Sequence, residues 1–434
     1  MLKAGFSRLD VTPPFGICLS GYAVIRPADA ILDPLYVNTI VFSDDKKTVA
    51  AISLDQIGIP ISKSEVIRRF IADRNHLDFD AVLLACTHIH TGPVIDEYPF
   101  PNNEEYIDTL CKRLADSVTL AIQDLKPAKL SYARNKAENI SFIRRFLMKD
   151  GTTATNPGRH NPNIDHPIGE PDETVQLVRV VRENAKDILM VNFQVHPDVI
   201  GGTGFSADFP GVVRKTVETA LDDVHCIYFN GAQGDTNHID VNAAPWDSNG
   251  GMAQSIHMGH KIAGAVLSIC DKCAPMDSEK VDFSSVTIDV PMNIPTPNEI
   301  PWAENVVQIF HDGNIDTTYD GPMGGPIAFY SALRIIALKD HDPIMKMRIN
   351  ALRFGDIAIT GAPGEPFTDI GRNTKARSPF TMTFYCCCCN GYEGYLPIAS
   401  AFEEGGYEAK TSFFLPGIAE SITDGNVEVL NKLH

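Results

Sequence analysis

The sequence predicts an α/β fold: a large mixed β-sheet core in two stacked sheets, flanked by helices, with a metal site at the strand ends. Three observations predict it. Apolar runs of strand length recur along the chain, as at residues 81–86, 226–230 and 357–359. Segments of helical periodicity alternate with them. The runs end in polar loops, flanked by Gly or Pro, that carry Asp, His or Glu, which is where open α/β sheets place their chemistry.

Taken in order, residues 5–14 read as a strand entering a turn. Residues 39–42 and 48–54 form an apolar pair around Asp44-Asp45-Lys46-Lys47, a hairpin that delivers Asp55 at its end. Residues 62–75 have helical spacing, with Val66, Ile67, Phe70 and Ile71 on one face. The buried strand 81–86 then runs into Thr87-His88-Ile89-His90-Thr91-Gly92-Pro93. Histidines at i and i+2 of an extended backbone share a side, with Ile89 facing the core, and Gly92-Pro93 stops the strand. Residues 104–125 form an amphipathic helix, with Ile107, Leu110, Leu114, Val118 and Ile122 inward.

Residues 128–133 read as a strand. The Gly-, Asn- and Pro-rich stretch 150–171 lacks periodicity and reads as a long loop, a lid or substrate wall. Strands at 175–181 and 187–194 follow, the second leading to His196. Residues 209–221 are helical, and strand 226–230 opens into a polar loop holding Asp235, Thr236 and Asn237. The helix at 251–270 carries His257 and His260, spaced for ligation but read as surface polarity. Residues 280–350 alternate strands with a helix at 329–339. The strand pair 347–353 and 357–359 enters Pro363-Gly364-Glu365-Pro366. Phe384-Tyr385-Cys386-Cys387-Cys388-Cys389 reads as a buried strand, followed by the turn Asn390-Gly391-Tyr392-Glu393-Gly394-Tyr395 and the tail through Tyr407-Glu408.

Composition bounds the function. The chain has 434 residues, 44% hydrophobic and 21% charged, and a formal net charge of −18. That charge repels phosphate backbones and anionic membrane surfaces, so neither nucleic acid nor stable membrane insertion is expected. There is no apolar signal segment and no run that spans a bilayer, so a cytoplasmic location is expected. Several of the ten cysteines sit in apolar runs, as reduced thiols do. Cys270 and Cys273 form a lone CxxC, insufficient for a structural zinc site.

Imidazole is the commonest protein ligand for zinc, and the pair His88 and His90 offers two. Across the chain, Asp55, His88 with His90, His196, Asp235 and Glu365 all follow buried strands. If those strands share a sheet, their ends converge. Three protein ligands plus water mark a catalytic zinc site, and His88, His196 and Glu365 can supply it. Asp55 is a candidate for orienting a ligand histidine.

These motifs resemble the neutral/alkaline non-lysosomal ceramidases through their N-terminal catalytic domain. The matching stretches are Ala85-Cys86-Thr87-His88-Ile89-His90-Thr91-Gly92-Pro93, Asn192-Phe193-Gln194-Val195-His196, Gly234-Asp235, Pro363-Gly364-Glu365 and the two-tyrosine tail, spanning Arg8 to Glu408. The resemblance implies one such catalytic domain over 1–434. It implies Zn2+ held by His88, His196, Glu365 and Tyr395, with His90 as the acid/base and oxyanion contact. It places the family's substrate-contacting arginine on Arg144, with Arg145 adjacent, and its second active-site tyrosine on Tyr407. Asn237 stands where the family's Gly-Asp-x-Ser loop carries a serine; it can donate a hydrogen bond but is no nucleophile. The family's C-terminal sandwich domain and secretory signal are expected to be absent.

The expected activity is a zinc-dependent hydrolysis of an amide in a small-molecule or lipid-like N-acyl substrate. The alternatives are a metal-dependent ester or phosphoester hydrolase, and a non-catalytic zinc-binding homologue.

Overall fold

A computed structural model describes residues 1–95, 98–313 and 325–434. Strands β1 (Lys3–Asp10), β2 (Tyr36–Ser43), β3 (Thr48–Leu54), β4 (Val82–Cys86), β5 (Lys126–Lys136), β6 (Thr174–Arg182), β7 (Asp187–Phe193) and β8 (Val224–Asn230) lie in the order β8-β7-β6-β5-β1-β2-β3-β4. The short strand Ala274–Met276 pairs with β5 and makes this a nine-stranded sheet among the described residues. A second sheet is built from β9 (Val281–Pro291), β10 (Ile344–Phe354), β11 (Ile357–Gly361) and β12 (Met382–Cys386), in that order.

The two sheets stack. Ile40, Phe42, Val49 and Leu83 of the large sheet share one core with Leu352, Phe354, Ile359 and Phe384 of the small one. At its centre the Phe42 and Phe354 rings stack at 4.2 Å. Neighbouring side chains on β2, Val37 and Val41, point the other way. They pack on α1 (Ile61–Asn75) and α2 (Glu104–Gln123). The other half of that face is covered by α3 (Asp208–Ala220) and α4 (Gly251–Leu267). The outer face of the small sheet carries α7 (Thr368–Arg377) and α8 (Ile418–Leu433). Helices α5 (Ile300–His311) and α6 (Gly325–Leu338) pack mainly on each other. Four layers thus bury both faces of both sheets, which is why these strands read as continuous apolar runs rather than alternating ones.

Within the two sheets, three strand pairs of the described residues are parallel: β3 with β4, β7 with β8, and β11 with β12. Parallel partners end side by side. The Cys387 amide donates to the Asn230 carbonyl, and that of Asn390 to the Leu84 carbonyl, so the ends of β4, β8 and β12 meet.

Several local expectations differ from the structure. On α1, Val66 is 64% exposed and Phe70 38%, while Ile67, Ile71, Ala72 and Arg68 turn inward. The buried Arg68 is admitted because its guanidinium donates to the Val82 and Phe79 carbonyls and lies 4.3 Å from the Phe79 ring. The stretch 150–171 is not a structureless loop: Thr153–Thr155 and Ile164–Pro167 flank Arg145–Met148 in a small sheet. Helices α5, α7 and α8 are not predicted by the sequence pattern. Within 280–350, the part at 314–324 lies outside the described residues. The cysteine strand stops at Cys386, and Cys388 takes a left-handed φ of 44°.

Replacing Phe354 with alanine should cost about 3–5 kcal/mol, because both sheets line the cavity it leaves and neither can collapse alone. Denaturant unfolding measures it; a loss under about 1 kcal/mol would show that the inter-sheet core is not where stability resides.

Candidate metal centre

The His-x-His stretch is built differently from a strand end. Beyond Cys86, Thr87 donates its amide to Leu54 and His88 to Gln56, so the segment follows β3. His88 adopts φ 71°, in the left-handed region. This turn, not strand alternation, brings the two imidazoles together, with centroids 5.2 Å apart and planes at 82°. Ile89 is fully buried in the core as expected.

The rings are held by different contacts. His88 Nδ1 donates to the Ile57 carbonyl at 2.8 Å, which leaves the Nε2 lone pair free. Nε2 faces Glu365 Oε2 at 3.2 Å. His196 Nδ1 lies 3.7 Å from the same oxygen. His196 Nε2 meets His90 Nε2 at 3.0 Å, and the His90 carbonyl accepts from Arg26 at 2.8 Å. His88, His90 and His196 also form a buried group whose ring nitrogens are close enough to share an ion.

Glu365 sits on a loop that pairs in parallel with Tyr395–Leu396, Glu365 opposite Tyr395. Its Oε1 accepts from the Tyr392 hydroxyl at 2.8 Å. The Gly234 loop packs behind it so closely that a Cβ on Gly234 would lie 2.3 Å from the Glu365 carbonyl oxygen. Only glycine fits there.

The electrostatics follow from burial. Desolvation alone would raise the Glu365 carboxyl, but His88, then His196 and Arg144, hold it well below the usual carboxylate range. Desolvation would lower His88, and the adjacent Glu365 carboxylate raises it instead. Burial, with the His88 charge, pushes His90 down to about 3. Burial and Arg144 push His196 down as well. Burial raises both Tyr395 and Tyr407, which therefore stay neutral hydroxyls.

The fit to a metal rests on orphaned atoms. His88 Nε2 and Glu365 Oε2 are buried without a hydrogen-bond partner. A lone pair and a carboxylate oxygen held at 3.2 Å repel unless a proton or a cation lies with them. In a tetrahedral zinc site with bonds of about 2.0–2.1 Å, neighbouring ligand atoms stand about 3.3 Å apart. The spacings of 3.2 and 3.7 Å around Glu365 Oε2 are of that order.

Arg144 is buried against this centre rather than solvated. Nε donates to Glu408 Oε1 at 2.8 Å, one Nη to the Gly234 carbonyl at 2.8 Å, and the other lies 3.4 Å from His196 Nδ1. Its guanidinium is 5.2 Å from the Tyr395 ring centroid. Arg145 instead binds Glu404 at 3.0 Å and the Gly405 carbonyl at 2.8 Å. Tyr407 packs against Tyr395 at 5.4 Å between centroids.

Two expectations change role. Asn237 makes no contact with the histidines: Nδ2 donates to Asn156 at 2.7 Å, and Oδ1 accepts from the Ile239 amide at 3.0 Å. Asp55 does not orient a ligand histidine; it takes Arg214 bidentately, at 2.8 and 2.5 Å, while the Ile57 carbonyl orients His88. Asp235 caps the first turn of α7 through Thr368. His257 and His260 are both exposed on α4. Tyr392 was missed; its signal was a second tyrosine three residues before Tyr395, and only the fold separates the two. A backbone carbonyl such as that of Ile57 leaves no sequence signal.

Two cavities meet at the centre. One, of about 400 Å³, is walled mainly by apolar side chains, among them Ile57, Ile95, Leu333, Ile336 and Phe413, and reaches His88 and Glu365. Glu393 also lies on it, with Oε1 accepting from the Ile61 amide at 2.9 Å. The other, of about 470 Å³, reaches His196 and carries Arg144, Thr153, Thr155, Asn156, Asp198 and Lys410. Residues 153–156 of the predicted wall do line it. Gly21, His90, Tyr330, Tyr395 and Tyr407 border both.

Solved structures share this architecture. Neutral ceramidase from Pseudomonas aeruginosa superposes with a TM-score of 0.76 at 16% identity, over 100% of this chain and 74% of that one. A ceramidase complexed with C2 matches with a TM-score of 0.76 at 15% identity, over 100% of this chain and 75% of that one. At such identities the likeness establishes the fold. No protein-family model matches the sequence, and no curated protein matches it. No helix among the described residues is long and apolar enough to cross a membrane.

Replacing Asp55 with asparagine should destabilise the protein by about 3–5 kcal/mol, because Arg214 is left buried without its counter-charge. Urea unfolding measures this, and a loss below about 1 kcal/mol would contradict the pair's burial.

Proposed function

We propose that residues 1–434 act as one catalytic unit, a zinc-dependent hydrolase of N-acyl amides with a lipid-like acyl half. The observation that carries this is the partnerless pair His88 Nε2 and Glu365 Oε2, placed where an apolar cavity meets a more polar one. His88, through Nε2, and His196, through Nδ1, would hold the metal with Glu365 and Tyr395. The metal, when bound, supplies a Lewis acid that polarises the carbonyl and brings the pKa of water to about 7.

The remaining chemistry belongs to the chain. If His196 ligates through Nδ1, its Nε2–H donates to His90 Nε2, as ligand histidines commonly do to a neighbour. His90 then carries its own proton on Nδ1, the ring atom with no protein partner. Since burial keeps this imidazole neutral at pH 7, Nδ1–H serves as a donor to the developing oxyanion, and any exchange with the leaving nitrogen runs through the same atom. The neutral Tyr407 hydroxyl, bordering both cavities, is a second donor. Arg144 reaches substrate through one Nη alone, its other nitrogens being committed to Glu408 and Gly234. Asn237 acts as a positioning residue by holding Asn156 on the cavity wall.

The fold of two ceramidases supports the amide reading over the ester one, and the apolar cavity supports a lipid-like acyl group. Ten free cysteines, most of them buried, support a reducing cytoplasmic setting.

The purified protein is expected to hold about one zinc per chain, and chelation to abolish release of fatty acid from N-acyl amides. His88→Ala should lose the metal while keeping its circular-dichroism spectrum; full zinc occupancy in that variant would refute this ligand set. His90→Ala should keep its zinc and lose about a hundredfold in kcat, the effect of removing one oxyanion donor. Unchanged turnover there would remove His90 from the mechanism.

A further inference from the structure

One uncharged side chain spans the turn that joins His88 to His90. Gln56 is 1% exposed and stands just past the end of β3. Its carbonyl accepts from the His88 amide at 2.8 Å, where the turn begins. Its side-chain Nε2 donates to the Pro93 carbonyl at 2.7 Å, where the turn ends. Its Oε1 accepts from the Ile57 amide at 3.1 Å. The carbonyl of that same Ile57 takes His88 Nδ1 at 2.8 Å. One residue thus holds both ends of the segment 88–93 and the peptide unit that orients the first imidazole. Gly92 completes the fit. A Cβ there would lie 2.5 Å from Gln56 Oε1, while its next neighbours would be at ordinary contact distances of 3.4 and 3.5 Å. Gly92 therefore does more than end a strand: it admits the glutamine amide.

We infer that Gln56 is a positioning residue: it braces the left-handed turn so that His88 and His90 face the centre at a fixed separation, 5.2 Å between ring centroids, with or without a metal. Its effect on metal binding rests on the zinc reading above; the bracing of the turn does not. The chemistry asks for glutamine in particular. The Pro93 carbonyl needs a donor and the Ile57 amide needs an acceptor, and a primary amide offers both without burying a charge. Methionine has nearly the same length and offers neither. Without the brace, Thr87 and His88 keep their backbone bonds to Leu54 and Gln56, but the Pro93 end is released. The two imidazoles then lose their fixed relation, while His196 and Glu365, carried by other segments, keep their places.

The test uses Gln56→Met, Gly92→Ala, Gln56→Ala and the double variant Gln56→Ala/Gly92→Ala. In the metal-free proteins, hydrogen–deuterium exchange over residues 87–94 should quicken about tenfold or more in Gln56→Met and Gly92→Ala, with β4 and β11 unchanged. Zinc affinity, measured by competition with a chelator, should fall about ten- to a hundredfold in both, the scale on which groups behind metal ligands act. The absorption spectrum of the Co2+-loaded variants should shift, which a loss of packing elsewhere would not cause. On the Gln56→Ala background, Gly92→Ala should add less than about twofold to either loss, because the atom it strikes is gone. The inference is overturned if exchange over 87–94 stays within about twofold of wild type in Gln56→Met and Gly92→Ala, or if it rises equally across the whole chain. It is overturned as well if the variants bind zinc as tightly as a zinc-binding wild type, or if the effects of Gln56→Ala and Gly92→Ala multiply in the double variant. A wild-type protein that binds no zinc would instead overturn the metal reading, and the exchange rates would still decide whether Gln56 braces the turn.

Discussion

Two electron-rich atoms held against each other in a buried site are the constraint on which this structure turns. His88 Nε2 and Glu365 Oε2 stand 3.2 Å apart, buried, with no other hydrogen-bond partner. Without a cation the arrangement is relieved by a proton, which is why the carboxylate raises the imidazole despite burial. A divalent ion would relieve it as well and would also lie near His196 Nδ1, 3.7 Å from the same oxygen. The frame makes retreat difficult. His88 is tied to Ile57 through Nδ1, and Glu365 is clamped between Tyr392 and the Gly234 loop.

That frame is a property of topology. The centre joins the ends of strands from both sheets, and those ends are held by pairs remote in sequence. Asp55 and Arg214 are 159 residues apart, and Arg144 and Glu408 are 264 apart. Buried ion pairs add little net stability, since desolvation offsets their attraction. Their use here is geometric: each fixes one segment against a helix remote in sequence, so the side chains of the centre keep their spacing. The same convergence separates the two cavities, with His90, Tyr395 and Tyr407 on the boundary.

Much of this was legible in the sequence, for a definite reason. A strand covered on both faces must be continuously apolar, and the polar residue after it must belong to the sheet edge. Asp55, His88 with His90, His196, Asp235 and Glu365 all stand out on that rule, which does not by itself separate the residues of the centre from those that brace it. What was hidden depends on tertiary contact. The left-handed turn at His88 is set by the amide hydrogen bonds of Thr87 to Leu54 and of His88 to Gln56, contacts that the local sequence does not show. Arg68 replaced Val66 and Phe70 on the inner face of α1 only because two carbonyls and the Phe79 ring were there to receive it. Asp55 looked like a partner for histidine until α3 brought Arg214 to it. Asn237 was placed by its position in a motif, whereas its hydrogen bonds point to Asn156.

The cysteine run shows how the same physics decides what the centre is not. Cys388 Sγ lies 3.3 Å from His88 Nδ1, close enough to invite a thiolate ligand. Yet Nδ1 is committed to the Ile57 carbonyl, and burial together with neighbouring thiol and carboxylate charge raises the Cys388 thiol well above its ordinary value. A neutral thiol on the wrong side of the ring is no ligand. Its reason is space. Here β11 and β12 close on each other so tightly that a Cβ on Gly361 would lie 2.1 Å from the Cys386 carbonyl oxygen and 2.7 Å from Cys389 Cβ. Larger side chains would push the sheets apart, and with them the ends that carry the ligands. Small thiols fill this corner, and the unpartnered atoms nearest the His88 ring are a nitrogen and an oxygen, His88 Nε2 and Glu365 Oε2.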